Sequence, residues 1–162
     1  MSESGFRINF AGTAKPKPLT SMPAGMYKAN VYELNWGKTG ESARNPGEPK
    51  LTITFRISDG ENEGRQVYRT YTFGEKARPF FLQLCEAIGG FTDDQLNGEA
   101  DILPEEVDHH FQGTEVVISI NRKQDRDFGM EDGFRNEVRN VYSVKSPQAQ
   151  KVVSGPSDPR MP

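Results

Sequence analysis

The chain has almost none of the residues that build a catalytic or metal centre. It carries one cysteine, Cys85, and two histidines, His109 and His110, among 162 residues. One cysteine excludes an internal disulfide and a multi-cysteine metal site, and its place in an apolar helical pattern predicts burial, so a cytoplasmic protein is expected. The two histidines are adjacent; such neighbours point apart on a strand and do not share a helix face as i, i+4 ligands do, so zinc is not expected. There is no G-x-S-x-G element. Gly37-Lys38-Thr39 resembles the end of a P-loop, but the six residues before it lack the required glycine and no helix is predicted to follow. Asp125 and Asp127 flank Arg126, which a charged hairpin tip explains better than Mg²⁺ binding. No enzymatic activity and no cofactor are expected.

Long apolar runs are missing too. Nothing approaches the roughly 18 residues of a membrane-spanning helix, and the opening MSESGFRINF lacks the basic-then-apolar order of a signal peptide, so no membrane role is expected. Hydrophobic residues make up only 34% of the chain, and 7 of its 11 prolines fall in residues 1–23 and 147–162. Residues 1–23 and 146–162 therefore read as flexible tails around one ordered domain, residues 24–145. A strong positive charge is also lacking. The net charge of −3 argues against a protein made to coat nucleic acid. The acids are concentrated, however: residues 86–108 hold eight and no Lys or Arg, while the rest of 24–145 holds 15 basic residues against 13 acids. A mildly positive face elsewhere is compatible with that distribution.

What is present is β-patterning. In residues 50–73, Leu51, Ile53, Phe55 and Ile57 alternate with Thr52, Thr54, Arg56 and Ser58, and a second β-rich run begins at Gln66 after a polar turn with Asp59-Gly60 and Gly64. The two runs predict an antiparallel hairpin. Upstream, Tyr27, Ala29 and Val31 alternate until the pattern slips at Leu34, as a bulge would produce. Downstream, Phe81, Leu84, Cys85 and Ile88 keep helical spacing over residues 75–88, with Gly89-Gly90 as the stop. Thr92 with Gln95 predicts a capping box, Pro104-Glu105-Glu106 a second helical turn, and residues 114–122 and 134–144 two more strands. The order strand, strand, strand, helix, strand, strand is that of an OB-fold-like five-stranded antiparallel barrel, partly open, with its main helix between strands 3 and 4. A β-sandwich with a packed helix is the competing arrangement.

Pro23-Ala24-Gly25-Met26-Tyr27, Phe55-Arg56-Ile57, Gly64-Arg65-Gln66-Val67, Glu86-Ala87-Ile88-Gly89 and Gly113-Thr114-Glu115-Val116 occur in that order. Over about residues 20–145 they resemble a family of small phage-encoded proteins that includes single-stranded DNA-binding proteins of replication and recombination modules. The resemblance implies an OB-type fold and a non-enzymatic role on single-stranded DNA, with replication or recombination proteins as further partners. Self-association is left open. Bacterial single-strand-binding proteins end in an acidic, aromatic-tipped tail, whereas this chain ends SDPRMP, so recruitment by that route is not expected.

Binding a single strand without reading its sequence needs cations along the phosphates and rings on which bases stack. The candidate nucleic-acid-binding residues are Trp36, Lys38, Arg44, Lys50, Arg56, Tyr68, Arg69, Arg122, Lys123, Arg126, Phe134 and Arg135. Tyr71, Phe128, Arg65 and Arg139 are further rings and cations of the same kind. Trp36 serves either as a stacking platform or as a plug at one end of the core. Alternation sorts Val67, Arg69, Tyr71 and Phe73 inward; burying Arg69 is costly, so a bulge near it would turn Arg69 and Tyr68 outward. The alternative function is a protein-interaction module whose acidic stretch, residues 86–108, binds a basic partner or mimics DNA.

Overall fold

Alternation of apolar and polar residues sets the inner face of every strand. The computed structural model describes residues 7–14, 20–41, 46–127 and 129–147. Within them the elements are β1 (Gly25–Lys38), β2 (Pro49–Ile57), β3 (Gln66–Thr72), α1 (Arg78–Ile88), α2 (Asp93–Leu96), α3 (Pro104–Phe111), β4 (Glu115–Gln124) and β5 (Phe134–Ser143). Leu51, Ile53, Phe55 and Ile57 of β2 are buried with Tyr27, Ala29 and Val31 of β1 and Val116, Ile118 and Ile120 of β4. Each large side chain so buried stabilises the fold by about 1.5–3 kcal/mol relative to exposure. Among the described residues, no helix is long and apolar enough to cross a membrane.

The strands form one antiparallel sheet in the order β3-β2-β1-β4-β5. The expected barrel does not close. Among the described residues β3 and β5 share no ladder; instead the Arg69 guanidinium of β3 donates to the backbone carbonyl of Arg139 on β5 at 2.6 Å. Arg69 also lies over the Phe80 ring of α1, 5.3 Å from its centroid. Side chains occupy the place that a fifth pairing, β3 with β5, would need, and the sheet curls without sealing.

Two bulges bend it. The register of β1 on β2 shifts between Val31 and Glu33, leaving Tyr32 as the extra residue. That is the slip expected near Leu34, and it returns Leu34 and Trp36 to the core side. The second shift lies between Ser119 and Ile120, opposite Asn140 and Val138, and leaves Arg139 unpaired on β5. The bulge expected near Arg69 is absent: β2 and β3 pair without interruption from Lys50↔Thr72 to Arg56↔Gln66.

The helices cover the core opening. α1 begins three residues later than its apolar spacing suggested, because residues 75–77 form a turn in which Gly74 O accepts the amides of Ala77 and Arg78. It ends at Gly89, whose φ of 85° suits glycine and whose amide donates to Cys85 O. Leu84 and Cys85 are buried against the sheet. The Thr92–Gln95 capping box of α2 is present. α3 extends well beyond one turn, because Val107 and Phe111 both reach the core.

Residues 20–23, assigned to a tail by composition, dock on β5. Met22 is buried, its amide donates to Asn136 Oδ1 at 2.8 Å, and its carbonyl accepts from Asn136 Nδ2 at 2.9 Å. Thr20 O accepts from Arg65 at 2.6 Å. Side chains far along the chain hold this segment, so no local pattern revealed it.

Candidate nucleic-acid interface

The outer face of the β2–β3 hairpin is built by the same alternation that builds the core. Lys50, Thr52, Thr54 and Arg56 project outward from β2, with Thr72, Thr70, Tyr68 and Gln66 opposite them on β3. The Thr52 and Thr70 hydroxyls hydrogen-bond at 2.9 Å. Tyr68 is 69% exposed. Arg56 is its diagonal neighbour across the ladder, a relation that sets such side chains roughly 7–8 Å apart. The Arg56 guanidinium lies over the ring of Tyr32, 5.4 Å from the centroid. Among the described residues Arg56 has no acidic partner. Tyr32, missed as a ring, is 45% exposed because the β1 bulge turns it outward; the slip in alternation was the signal.

Beyond Tyr68 the surface enters the open β3–β5 seam, a cleft of about 500 Å³ lined by Tyr68, Arg69, Phe80, Arg135, Glu137 and Arg139 among others. Arg69 occupies an inner-facing position, yet its head escapes through the seam. There it covers the Tyr71 ring at 4.8 Å as well as Phe80. Tyr71 itself is core, its phenol pushed up to about 12 mainly by burial, with Arg69 opposing the shift. Phe80, at the start of α1, is 49% exposed in the cleft. Arg135 lies across it, with Nε 3.2 Å from Asp125 Oδ2 and Nη2 3.6 Å from Glu137 Oε2. Arg135 Nε is buried and, despite that proximity, has no hydrogen-bond partner.

Other candidates stand apart. Trp36 belongs to the opposite, inner side: it stacks on Phe73 with centroids 6.0 Å apart, and its Nε1 donates to Asp108 at 2.8 Å. It is a plug, not a platform on the hairpin face. Arg122 is committed to the N-terminal clasp. Its Nε donates to Ser21 Oγ at 2.8 Å, its Nη2 is 3.5 Å from Asp132, and its guanidinium covers Phe134 at 4.3 Å. The Ser21 hydroxyl and amide both donate to Asp132 Oδ2. The hydroxyl contact, above all, holds the Asp132 carboxyl below its ordinary range. Lys123 lies 4.0 Å from Glu137, and Arg126 is exposed on the β4–β5 turn. Lys38 is exposed at the end of β1, while the Lys50 stem runs close to Gly37. Arg44 and Phe128 lie outside the described residues.

The structure thus gathers Lys50, Arg56, Tyr68, Arg69 and Arg135 on one continuous surface, adds Tyr32, Phe80 and Arg139, and sets Trp36, Arg122 and Phe134 elsewhere. Among the described residues, Glu33, Asp125 and Glu137 lie on or beside that surface as acids. Among the described residues no cluster of His, Cys, Asp and Glu could hold a metal ion. No protein-family model matches the chain, and no curated protein matches it.

Proposed function

We propose that the protein binds single-stranded DNA with little regard to sequence, as a non-enzymatic member of a phage replication or recombination module, and that its curled sheet is an OB-fold left open at one seam. The observation that carries this reading is the exposed Tyr68 ring, standing between Arg56 on one side and the cleft of Arg69, Arg135 and Arg139 on the other. Support for the fold comes from the strand order, with the main helix between β3 and β4. In OB-folds the outer surface of strands 2 and 3 receives the oligonucleotide. Support for the family comes from the motifs over residues 20–145, and the reading implies action in the host cytoplasm.

A base stacked on Tyr68 contributes about 1–3 kcal/mol, and the guanidinium groups neutralise phosphates on either side of it. Stacking on a ring and charge on phosphates carry no base identity, which is why little specificity is expected. The test is anisotropy of labelled oligo-dT at two salt concentrations. Saturable binding should weaken as salt rises, with a log–log slope of roughly −0.7 per phosphate contact. Tyr68→Ala should weaken it by about 5- to 150-fold, the equivalent of some 1–3 kcal/mol. A folded protein that fails to bind oligo-dT at low salt overturns the proposal.

A further inference from the structure

Across α1 from that cleft, the end of the sheet and the three helices enclose an open groove of about 790 Å³. Its floor is aromatic: Trp36 stacks on Phe73, and Phe73 meets Phe81 edge-on with centroids 4.9 Å apart. Leu96 and Ile102 form a wall, and exposed Leu82 stands at the mouth. The polar end of the indole is already satisfied by Asp108. The Cys85 thiol in the lining is pushed up to about 12, chiefly by burial, so it stays neutral and behaves as apolar surface. The surroundings are strongly acidic. The segment 86–108, from the last turn of α1 through most of α3, carries eight acids and no Lys or Arg. Glu75 and Asp101 line the groove itself, against Arg78 as the one cation among the described lining residues.

An apolar trough in a negative field selects its occupant. Nucleic acid and acidic segments are repelled, and a wholly polar cation gains nothing from the floor. We propose that this groove docks a short segment of a partner protein that presents aliphatic or aromatic anchors flanked by lysine or arginine. The site is separate from the Tyr68 surface and does not depend on what binds there.

Trp36 is the only tryptophan, so its emission reports occupancy of the groove. The probe is a displayed library of random dodecapeptides lacking tryptophan, selected on the full chain. The selected sequences should combine apolar anchors with Lys or Arg. As synthetic peptides they should saturably shift Trp36 emission, and Leu82→Lys and Asp101→Lys should each weaken binding about tenfold or more. Both residues are exposed, and unchanged circular dichroism should show that the variants fold. Recovery of no binder, of acidic or wholly polar peptides, or of peptides that leave Trp36 emission unmoved overturns the proposal. So does self-association abolished by Leu82→Lys, which assigns the groove to a second copy. A shift in emission on deleting residues 148–162 without peptide assigns it to the chain's own segment, and overturns it equally.

Discussion

The two faces of β2 and β3 differ only in which alternate residues they present, and the difference separates stability from binding. Leu51, Ile53, Phe55 and Ile57 point inward and are buried, whereas Lys50, Thr52, Thr54 and Arg56 point outward with Tyr68 and Thr70 beside them. The inner set removes apolar area from water. The outer set leaves a ring and cations in solvent, where they add little to folding and remain available to a ligand. Arg69 alone belongs to both, with an inner-facing position and a head that reaches the seam.

The largest effect should come from the inner face. Phe55→Ala removes a fully buried ring and should cost about 3–5 kcal/mol in urea unfolding, with oligo-dT affinity of the remaining folded protein unchanged. A loss of affinity at constant stability would break the division between the faces. Arg69→Ala should fall between: about 1–3 kcal/mol of stability, since the Arg139 carbonyl and two rings lose their cation, together with weaker oligo-dT binding. If it changed neither, the seam would not be held by this side chain. Tyr68→Ala should leave stability within about 0.5 kcal/mol while weakening oligo-dT binding as stated above. Thermal unfolding alongside anisotropy distinguishes the two.

The smallest effect concerns the N-terminal clasp and sharpens the comparison by showing a third kind of arginine, neither core nor free. Asp132 has its carboxyl pKa lowered in the folded protein, first by the Ser21 hydroxyl. A lowered folded value means that the clasp's contribution is fully present above the ordinary Asp value, near 3.9, and is lost as pH falls through the lower folded one. Protection factors for amide exchange at Ser21 and Met22, which remove the intrinsic pH dependence of exchange, should therefore hold level at neutral pH and fall only in acid. Asp132→Asn should remove that acid dependence; an unaltered pH profile in the variant would detach the effect from Asp132.

Much of the fold was legible in local pattern. The alternation of β2, the i, i+3, i+4, i+7 spacing of α1, the Gly89 stop and the Thr92–Gln95 box each depend on residues a few positions apart, which sequence displays directly. The candidate site was legible only in part. Arg56 and Tyr68 follow from the same alternation that buries Phe55. The outward turn of Tyr32 depends on a bulge whose position shows only in the pairing of β1 with β2, and Trp36 gives no sign of its orientation until Phe73 and Asp108 are beside it.

The sequence by itself determined which residues could face a core, where helices could stop, and that acids would crowd residues 86–108 while cations lay on the strands, because these depend on composition and short spacing. Only the tertiary structure decided that the sheet would stay open. That outcome rests on contacts between distant residues: Arg69 meeting Arg139 and Phe80 where a ladder would run, and Ser21 and Met22 held by Asp132 and Asn136. Such contacts form only after the chain has curled, and their geometry depends on the sum of twist, bulges and packing along the whole sheet, not on any one stretch of it.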